Sequence, residues 1–197
     1  MNDLDIRRSL LDRFMTRNVF ESSSVLEEVS VSNGCARADV VFAGKKLECF
    51  EIKSELDSLK RLTQQGWHYG RSFNQVTLVA ATKHLDKAIY SIPAWWGIIE
   101  VSRAGKLIQR RKAANNPDIK SHGLAELLNR DEGISLLKDC GITKGFSKLS
   151  NQKIHDKVSE LCGVQELNKF VLGAFKSRKK LRKDSYLPQF FPEMATC

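Results

Sequence analysis

Two runs of strand-forming residues separated by a glycine turn constrain the fold of this chain more than any other feature. Residues 38–43 and 47–53 are rich in Val, Phe and Ile, and they flank Gly44-Lys45. Such runs around a short glycine-containing turn predict two antiparallel strands joined as a hairpin. The chain therefore has to build a sheet around this hairpin, and successive side chains of each strand point to opposite faces of that sheet.

Three charged residues lie on the two predicted strands. Asp39 is on the first strand, and Glu51 and Lys53 are two apart on the second, so Glu51 and Lys53 share one face. Folding back about the turn places Asp39 opposite Phe50 or Glu51, depending on a one-residue difference in register. The favourable register brings two carboxylates and an ammonium group together.

Such a cluster suits metal chemistry. Carboxylates, helped by the backbone carbonyl of Ile52, are the hard oxygen ligands that Mg²⁺ or Mn²⁺ prefers, so the predicted metal ligands are Asp39, Glu51 and Ile52 through its backbone. A metal-bound water can attack a phosphodiester, and Lys53 could orient that water or stabilise the developing charge. A Glu-x-Lys pattern also occurs by chance on solvated strands, and this alternative stays open.

The order of these residues resembles the core of the PD-(D/E)XK nuclease superfamily. Gln65 and Tyr69 match the Gln-x-x-x-Tyr motif that follows on a helix in its RecB-type and Cas4-type members, and a small, largely uncharacterised bacterial family is also similar. The resemblance covers most of residues 1–112 and, more loosely, the remainder. The proline that often precedes the first aspartate is replaced by Ala38.

This resemblance implies a restriction-endonuclease-like fold and Mg²⁺-dependent hydrolysis of DNA. It implies catalytic roles for Asp39, Glu51, Lys53, Gln65 and Tyr69. In these nucleases a further acidic residue often precedes the aspartate strand and helps to hold the metal. Glu28 or Glu27 could fill that position here, or either could be a plain surface residue.

The charge of the chain favours a polyanionic partner, although many basic proteins bind none, and the resemblance implies that this partner is a nucleic acid, most simply DNA. The net charge is +9 and the isoelectric point is near 9.4, as in many proteins that bind polyanions. Six of the eight residues 176–183 are basic; such a block either follows a phosphate backbone or solvates a helix end. The predicted nucleic-acid contacts are Arg37, Lys60, Arg61, Lys176, Arg178, Lys179, Lys180, Arg182 and Lys183. Arg37 could instead form an ion pair within the protein, and Lys60 and Arg61 could instead be solvated surface charges.

Composition excludes several other classes of protein. Five cysteines without Cys-x-x-Cys or zinc-type His spacing argue against a disulfide framework and a structural zinc site. No apolar run of ~20 residues could span a bilayer, and the N-terminus does not look like a signal peptide. We therefore expect a soluble, cytoplasmic protein.

The alternation of strand and helix patterns predicts a mixed α/β sheet flanked by helices, followed by a helical lobe. Residues 1–115 are the predicted nuclease-like core, and residues 116–197 are the predicted helical lobe with a basic C-terminal segment. The local predictions are a helix over 3–17 capped by Asn2 with Asp5, a strand over 25–31, a helix from about Glu55 capped by Ser54 with Asp57, a buried strand over 76–81, a short helix over 83–90, a strand over 96–101 and its hairpin partner over 106–110. Trp95 and Trp96 either stack on bases or belong to the core.

Two alternatives to an active nuclease remain. One is a catalytically inactive nucleic-acid-binding module with the same fold, and the other is a protein adaptor with a basic surface. The joint presence of Asp39, Glu51 and Lys53 favours the nuclease, because an inactive site is free to lose one of them. A two-carboxylate glycosidase explains neither Lys53 nor the positive charge.

Overall fold

A six-stranded sheet forms the centre of the protein. The computed structural model describes residues 2–16, 22–146 and 148–178. Within these ranges the sheet has the strand order β1-β2-β3-β4-β5-β6. The strands are β1 (Ser24–Val31), β2 (Ala36–Ala43), β3 (Leu47–Lys53), β4 (Gln75–Ala81), β5 (Gly97–Val101) and β6 (Leu107–Arg111). Helices cover both faces of the sheet, so the predicted mixed α/β fold is confirmed.

The predicted hairpin is the pair β2–β3. These strands are antiparallel with Val40 opposite Phe50, and this register continues to place Asp39 beside Glu51. β4 and β5 follow as parallel neighbours, and β6 returns antiparallel to β5. The parallel strands are buried on both faces, which explains why their sequences are continuous apolar runs instead of alternating ones.

One face of the sheet is covered by α1 (Asp3–Met15). Asn2 and Asp5 form the predicted capping box, which satisfies amide groups at the start of this helix. Phe14 lies 4.9 Å, between ring centroids, from both Phe42 and Phe50. Its burial fixes α1 across β2 and β3.

The opposite face carries the remaining helices. Their ranges are α2 (Leu62–Ser72), α3 (Leu85–Ala88), α4 (Ser121–Ala125), α5 (Arg130–Asp139), α6 (Asn151–Leu161) and α7 (Val164–Ser177). Apolar residues of α2 and α4–α7 share one continuous buried cluster with β1–β5. The helical segment after residue 115 therefore packs directly on the sheet. No helix in the described part of the chain combines the length and apolar character that crossing a bilayer requires.

The segment between β3 and α2 differs from the sequence prediction. α2 begins at Leu62 and not near Glu55. The amide and hydroxyl groups of Ser54 both donate to Asp57, at 2.7 and 2.5 Å, so the predicted capping box instead closes a turn. Leu56 is 96% exposed, although helical spacing predicted that it faces the sheet. A local motif with too few buried side chains behind it did not suffice to start the helix.

The tandem tryptophans have a structural position. Trp96 is fully buried, and its ring centroid lies 6.3 Å from that of Tyr69. Trp95 packs partly against the same core. Of the two alternatives, stacking on bases or a place in the core, Trp96 takes the place in the core.

Candidate functional site

The five residues predicted to act together meet beside the N-terminal half of α2. Lys53 donates to Oε1 of Glu51 at 2.7 Å and to Oε1 of Gln65 at 3.3 Å. Gln65 in turn donates to the hydroxyl of Tyr69 at 3.4 Å. Asp39 reaches the group across the β2–β3 pair, because its Oδ2 accepts a 2.7 Å bond from the amide of Ile52. Sequence reasoning therefore placed all five side chains in one neighbourhood.

Tyr69 holds Glu51 in place from inside the core. Its hydroxyl lies 2.7 Å from Oε2 of Glu51 and 2.7 Å from the carbonyl oxygen of Arg37. Both Tyr69 and Glu51 are fully buried. Burial, with the negative charge of Glu51 adding to it, raises the pKa of Tyr69 far above its usual range, so the phenol stays protonated. Glu51 nevertheless lines the cavity that Asp39, Lys53 and Gln65 also line, whereas Tyr69 lies behind it.

Asp39 has a perturbed carboxyl group. Burial, and after it the charge of Glu51, raise the pKa of Asp39 to about 7, against the opposing effects of the Ile52 amide and of Arg7. Its carboxyl group therefore exchanges a proton close to neutral pH. The two carboxyl groups of this site resist being charged at the same time.

Arg7 was missed in the sequence and is central to the structure. Its side chain is only 10% exposed. It donates to Asp3 at 2.6 Å, to Glu27 at 3.3 Å, to Glu28 at 2.7 Å and to the carbonyl oxygen of Asp39 at 2.9 Å. One guanidinium group thus bridges α1, β1 and β2. No motif signals this role, which depends on how α1 packs against the sheet.

Glu28 lines the same cavity as Asp39 and Glu51, and its carboxylate is engaged in ion pairs. Its backbone has φ of 53°, an uncommon value for a residue other than glycine. The carboxylate pairs with Arg7 at 2.7 Å and with Arg37 at 2.5 Å, and Glu27 also pairs with Arg7. For Arg37, whose side chain is 71% exposed, the ion-pair alternative is the one observed.

Protein groups surround the carboxylate oxygens of the predicted metal ligands. Each carboxylate oxygen of Glu51 already has a protein donor, and those of Asp39 lie near the Ile52 amide and, at 3.7 Å, Arg7. Ile52 contributes its amide hydrogen to Asp39. Among the described residues, no group of three or more His, Cys, Asp or Glu side chains is placed to hold a metal ion. Lys53 and Arg7 supply the positive charge that a metal would bring, and Mg²⁺ stays a prediction.

The predicted nucleic-acid contacts fall in several places. Lys60 and Arg61 are exposed just before α2. Lys176 is half-buried near the end of α7, and Arg178 donates to Glu132 at 2.8 Å and to the carbonyl oxygen of Leu127 at 3.1 Å. Arg178 therefore ties α7 to α5. Four predicted contacts lie outside the described residues: Lys179, Lys180, Arg182 and Lys183.

A second charged surface lies along β6, one of the two edge strands of the sheet. Residues 102–117 contain five basic residues and no acidic one. Arg13 of α1 donates to Gln109 at 2.6 Å, and Lys46 donates to Asn115 at 2.5 Å, so both add their charge to this edge. We call this set the basic edge, and its members are Arg13, Lys46, Arg103, Lys106, Arg111 and Lys112.

Comparison with known proteins identifies the family. A model of the family described as bacteriophage P4 protein cII matches residues 1–195. The chain belongs to the bacteriophage P4 protein cII family. A curated member, Protein cII of Enterobacteria phage P4, is 27% identical over 195 residues, which are 95% of this chain and 71% of the relative.

Two solved structures have a low-scoring similarity to this chain. A Silicibacter pomeroyi protein of unknown function has a TM-score of 0.44 and 15% identity, over 92% of this chain and 91% of its own. Pyrococcus furiosus SfsA, solved in complex with Ca²⁺, has a TM-score of 0.30 and 15% identity, over 55% of this chain and 59% of its own.

The family match overturns the nuclease assignment. Membership of the PD-(D/E)XK superfamily, and the nuclease function inferred from it, are wrong, because a different family accounts for almost the whole chain. In the structure Lys53 pairs with Glu51, whose other carboxylate oxygen lies beside the Tyr69 hydroxyl, and Asp39 accepts from the amide of Ile52.

Proposed function

We propose that this member of the P4 cII family is a nucleic-acid-binding protein that acts by binding and not by cleaving its ligand. The observation that carries the proposal is the basic edge, where a stretch of 16 residues has positive charge and no acidic residue. Phosphate backbones are bound largely by such clusters of Lys and Arg, with release of counterions.

The side chains of the basic edge are available for this role. Arg103, Lys106 and Lys112 are exposed, and within the described ranges no ion pair engages them. Arg110 differs, because it pairs with Glu100 and its charge is compensated. Among the described residues, Arg103, Lys106 and Lys112 are therefore free to meet a phosphate, whereas Arg110 is already paired.

The carboxylate network does not compete with this role. Lys53 pairs with Glu51 in the interior, and the single charge of Arg7 is shared among Asp3, Glu27 and Glu28 beside Asp39. The network therefore stabilises the end of the β2–β3 hairpin against α1 and α2. The exposed lysine and arginine side chains of the basic edge lie outside this network.

Binding of labelled DNA and RNA by the full chain tests the proposal. Replacing Arg103, Lys106 and Lys112 by Gln removes three charges and should flatten the log–log salt dependence of affinity by about 2–3. A matched control replaces Lys138, Lys157 and Lys169, which are exposed on the helices, by Gln. The control should leave the slope within about one unit of the wild type.

Two outcomes of these binding titrations would contradict the proposal. Equal effects of both triple variants would mean that no localised surface exists, and absence of binding to any nucleic acid would leave a protein adaptor. Repeating the binding titrations with Mg²⁺ and with EDTA tests whether the protein uses the predicted Mg²⁺. Cleavage of the ligand that disappears in Glu51→Gln would show that the protein does more than bind.

A further inference from the structure

The outer face of α2 carries an unusual set of side chains. With 3.6 residues per turn, Gln64, Trp67 and Arg71 of α2 fall on one side, opposite the buried side of the helix, and Lys60 lies in the turn just before it. We call these four residues the outer stripe. Its helical part, from Gln64 to Arg71, extends over about 10 Å at the helical rise of ~1.5 Å per residue.

Trp67 is the largest exposed group of the outer stripe. It is 60% exposed, although tryptophan is usually among the more buried residues. The guanidinium carbon of Arg71 lies 4.7 Å from its ring centroid, and the ring of His68 meets it edge-on at 4.9 Å. The cation–π contact holds the indole ring in one orientation. An exposed aromatic ring that is held in this way can stack with a nucleobase.

The chain around Trp67 is basic, and Glu126, which acts on His68 from the end of α4, is an acidic neighbour from a distant segment. Residues 58–85 contain no Asp or Glu, whereas Lys60, Arg61 and Arg71 all lie on or beside α2. Bases that stack on aromatic rings and phosphates that meet Lys or Arg are the two contacts by which proteins bind single strands. The outer stripe offers both along α2 and the turn before it.

The chain also connects the outer stripe to the basic edge. After β6, Asn116 donates to the carbonyl oxygens of Gly70 at 2.6 Å and Phe73 at 2.8 Å. The amide of Lys120 then donates to the carbonyl oxygen of Arg71 at 3.0 Å. The segment that leaves the basic edge therefore runs past the C-terminal end of α2.

We infer that the outer stripe binds single-stranded nucleic acid, with a base stacked on Trp67 and phosphates near Lys60 and Arg71. This inference rests on the proposed function and names the class of ligand. In a duplex each base is already stacked between its neighbours, whereas an unpaired strand can present the face of a base. The protein should therefore bind single strands more tightly than duplexes.

Fluorescence anisotropy with the full chain tests the stacking contact. Three labelled ligands of equal length are compared: an oligothymidylate, the same strand with abasic sites, and a duplex. Trp67→Ala should weaken binding of the oligothymidylate by about tenfold or more, since stacking on an aromatic ring is lost. The same variant should bind the abasic strand as the wild type does, because that ligand has phosphates but no base to stack.

Two further variants serve as controls. Trp67→Phe keeps an aromatic ring and should retain most of the affinity for the oligothymidylate. Tyr90→Ala removes another aromatic residue, 91% exposed and outside α2, and should leave all three affinities unchanged. Circular dichroism should show that each variant is folded.

The outcomes separate the inference from the proposed function. If Trp67→Ala weakens binding to the abasic strand as much as to the oligothymidylate, Trp67 does not stack on a base. If nucleic acid binds but Trp67→Ala changes no affinity, the outer stripe faces another partner, such as a protein, and only this inference falls. If the wild type binds none of the three ligands, the proposed function falls as well.

Discussion

Lys53→Met removes the ammonium group that neutralises Glu51 in the interior. Glu51 is fully buried, Lys53 is 5% exposed, and the two charged atoms are 2.7 Å apart. At an effective dielectric constant of ~20, opposite unit charges at this distance attract by about 6 kcal/mol. Part of this attraction offsets the desolvation of both groups. Leaving the carboxylate buried without its partner should lower the free energy of unfolding by about 3–5 kcal/mol.

Urea unfolding at pH 7, followed by circular dichroism, measures the effect of Lys53→Met. Lys60→Met is the matched control, since Lys60 is exposed, and it should change the free energy of unfolding by less than about 0.5 kcal/mol. The double variant Glu51→Gln with Lys53→Met removes both charges and should recover most of the loss. A loss below about 1 kcal/mol for Lys53→Met, or a double variant as unstable as the single one, would refute the argument.

Two more predictions concern pH and packing. The pKa of Asp39 is raised from 3.8 to about 7. The contribution of Asp39 to the free energy of unfolding is therefore complete below pH 3.8 and is lost as pH rises through about 7. Asp39→Asn lacks this dependence and should gain stability relative to the wild type between pH 5 and pH 8 in urea unfolding; a constant difference would contradict the shift. Gly123→Ala should destabilise by about 1–3 kcal/mol, because its Cβ would lie 2.3 Å from the carbonyl oxygen of Arg71. Gly173→Ala should instead raise the melting temperature, since its Cβ meets open space and Ala favours a helix. Equal changes of the melting temperature in the two variants would argue against the contact at Gly123.

Much of the candidate site could be predicted from local patterns. The hairpin around Gly44 and the shared face of Glu51 and Lys53 follow from the two-residue repeat of strands, and Gln65 and Tyr69 follow from helical spacing. What these residues do there depends on burial. Tyr69 is fully enclosed and supports Glu51, and no spacing in the sequence indicates how deeply a side chain is covered.

The family and the function needed more than the pattern of site residues. Asp39, Glu51 and Lys53 have the order of a nuclease motif, yet the match over residues 1–195 places the chain in another family. A three-residue pattern at a hairpin has several physical origins, and a buried ion pair such as that of Glu51 with Lys53 is one of them. The same side chains thus permit a chemical and a structural interpretation until their neighbours are known.

By itself the sequence determined the elements that depend on neighbours along the chain. These are the β2–β3 hairpin, the capped helix α1 and the buried parallel strands, because backbone geometry and the spacing of apolar residues act over a few positions. Only the tertiary structure decided where Arg7 goes and that Trp67 stays exposed. Arg7 meets Glu28 and Asp39 from 21 and 32 residues away. The partners of a buried charge, and the surface left uncovered, are set by how distant segments pack and exclude water.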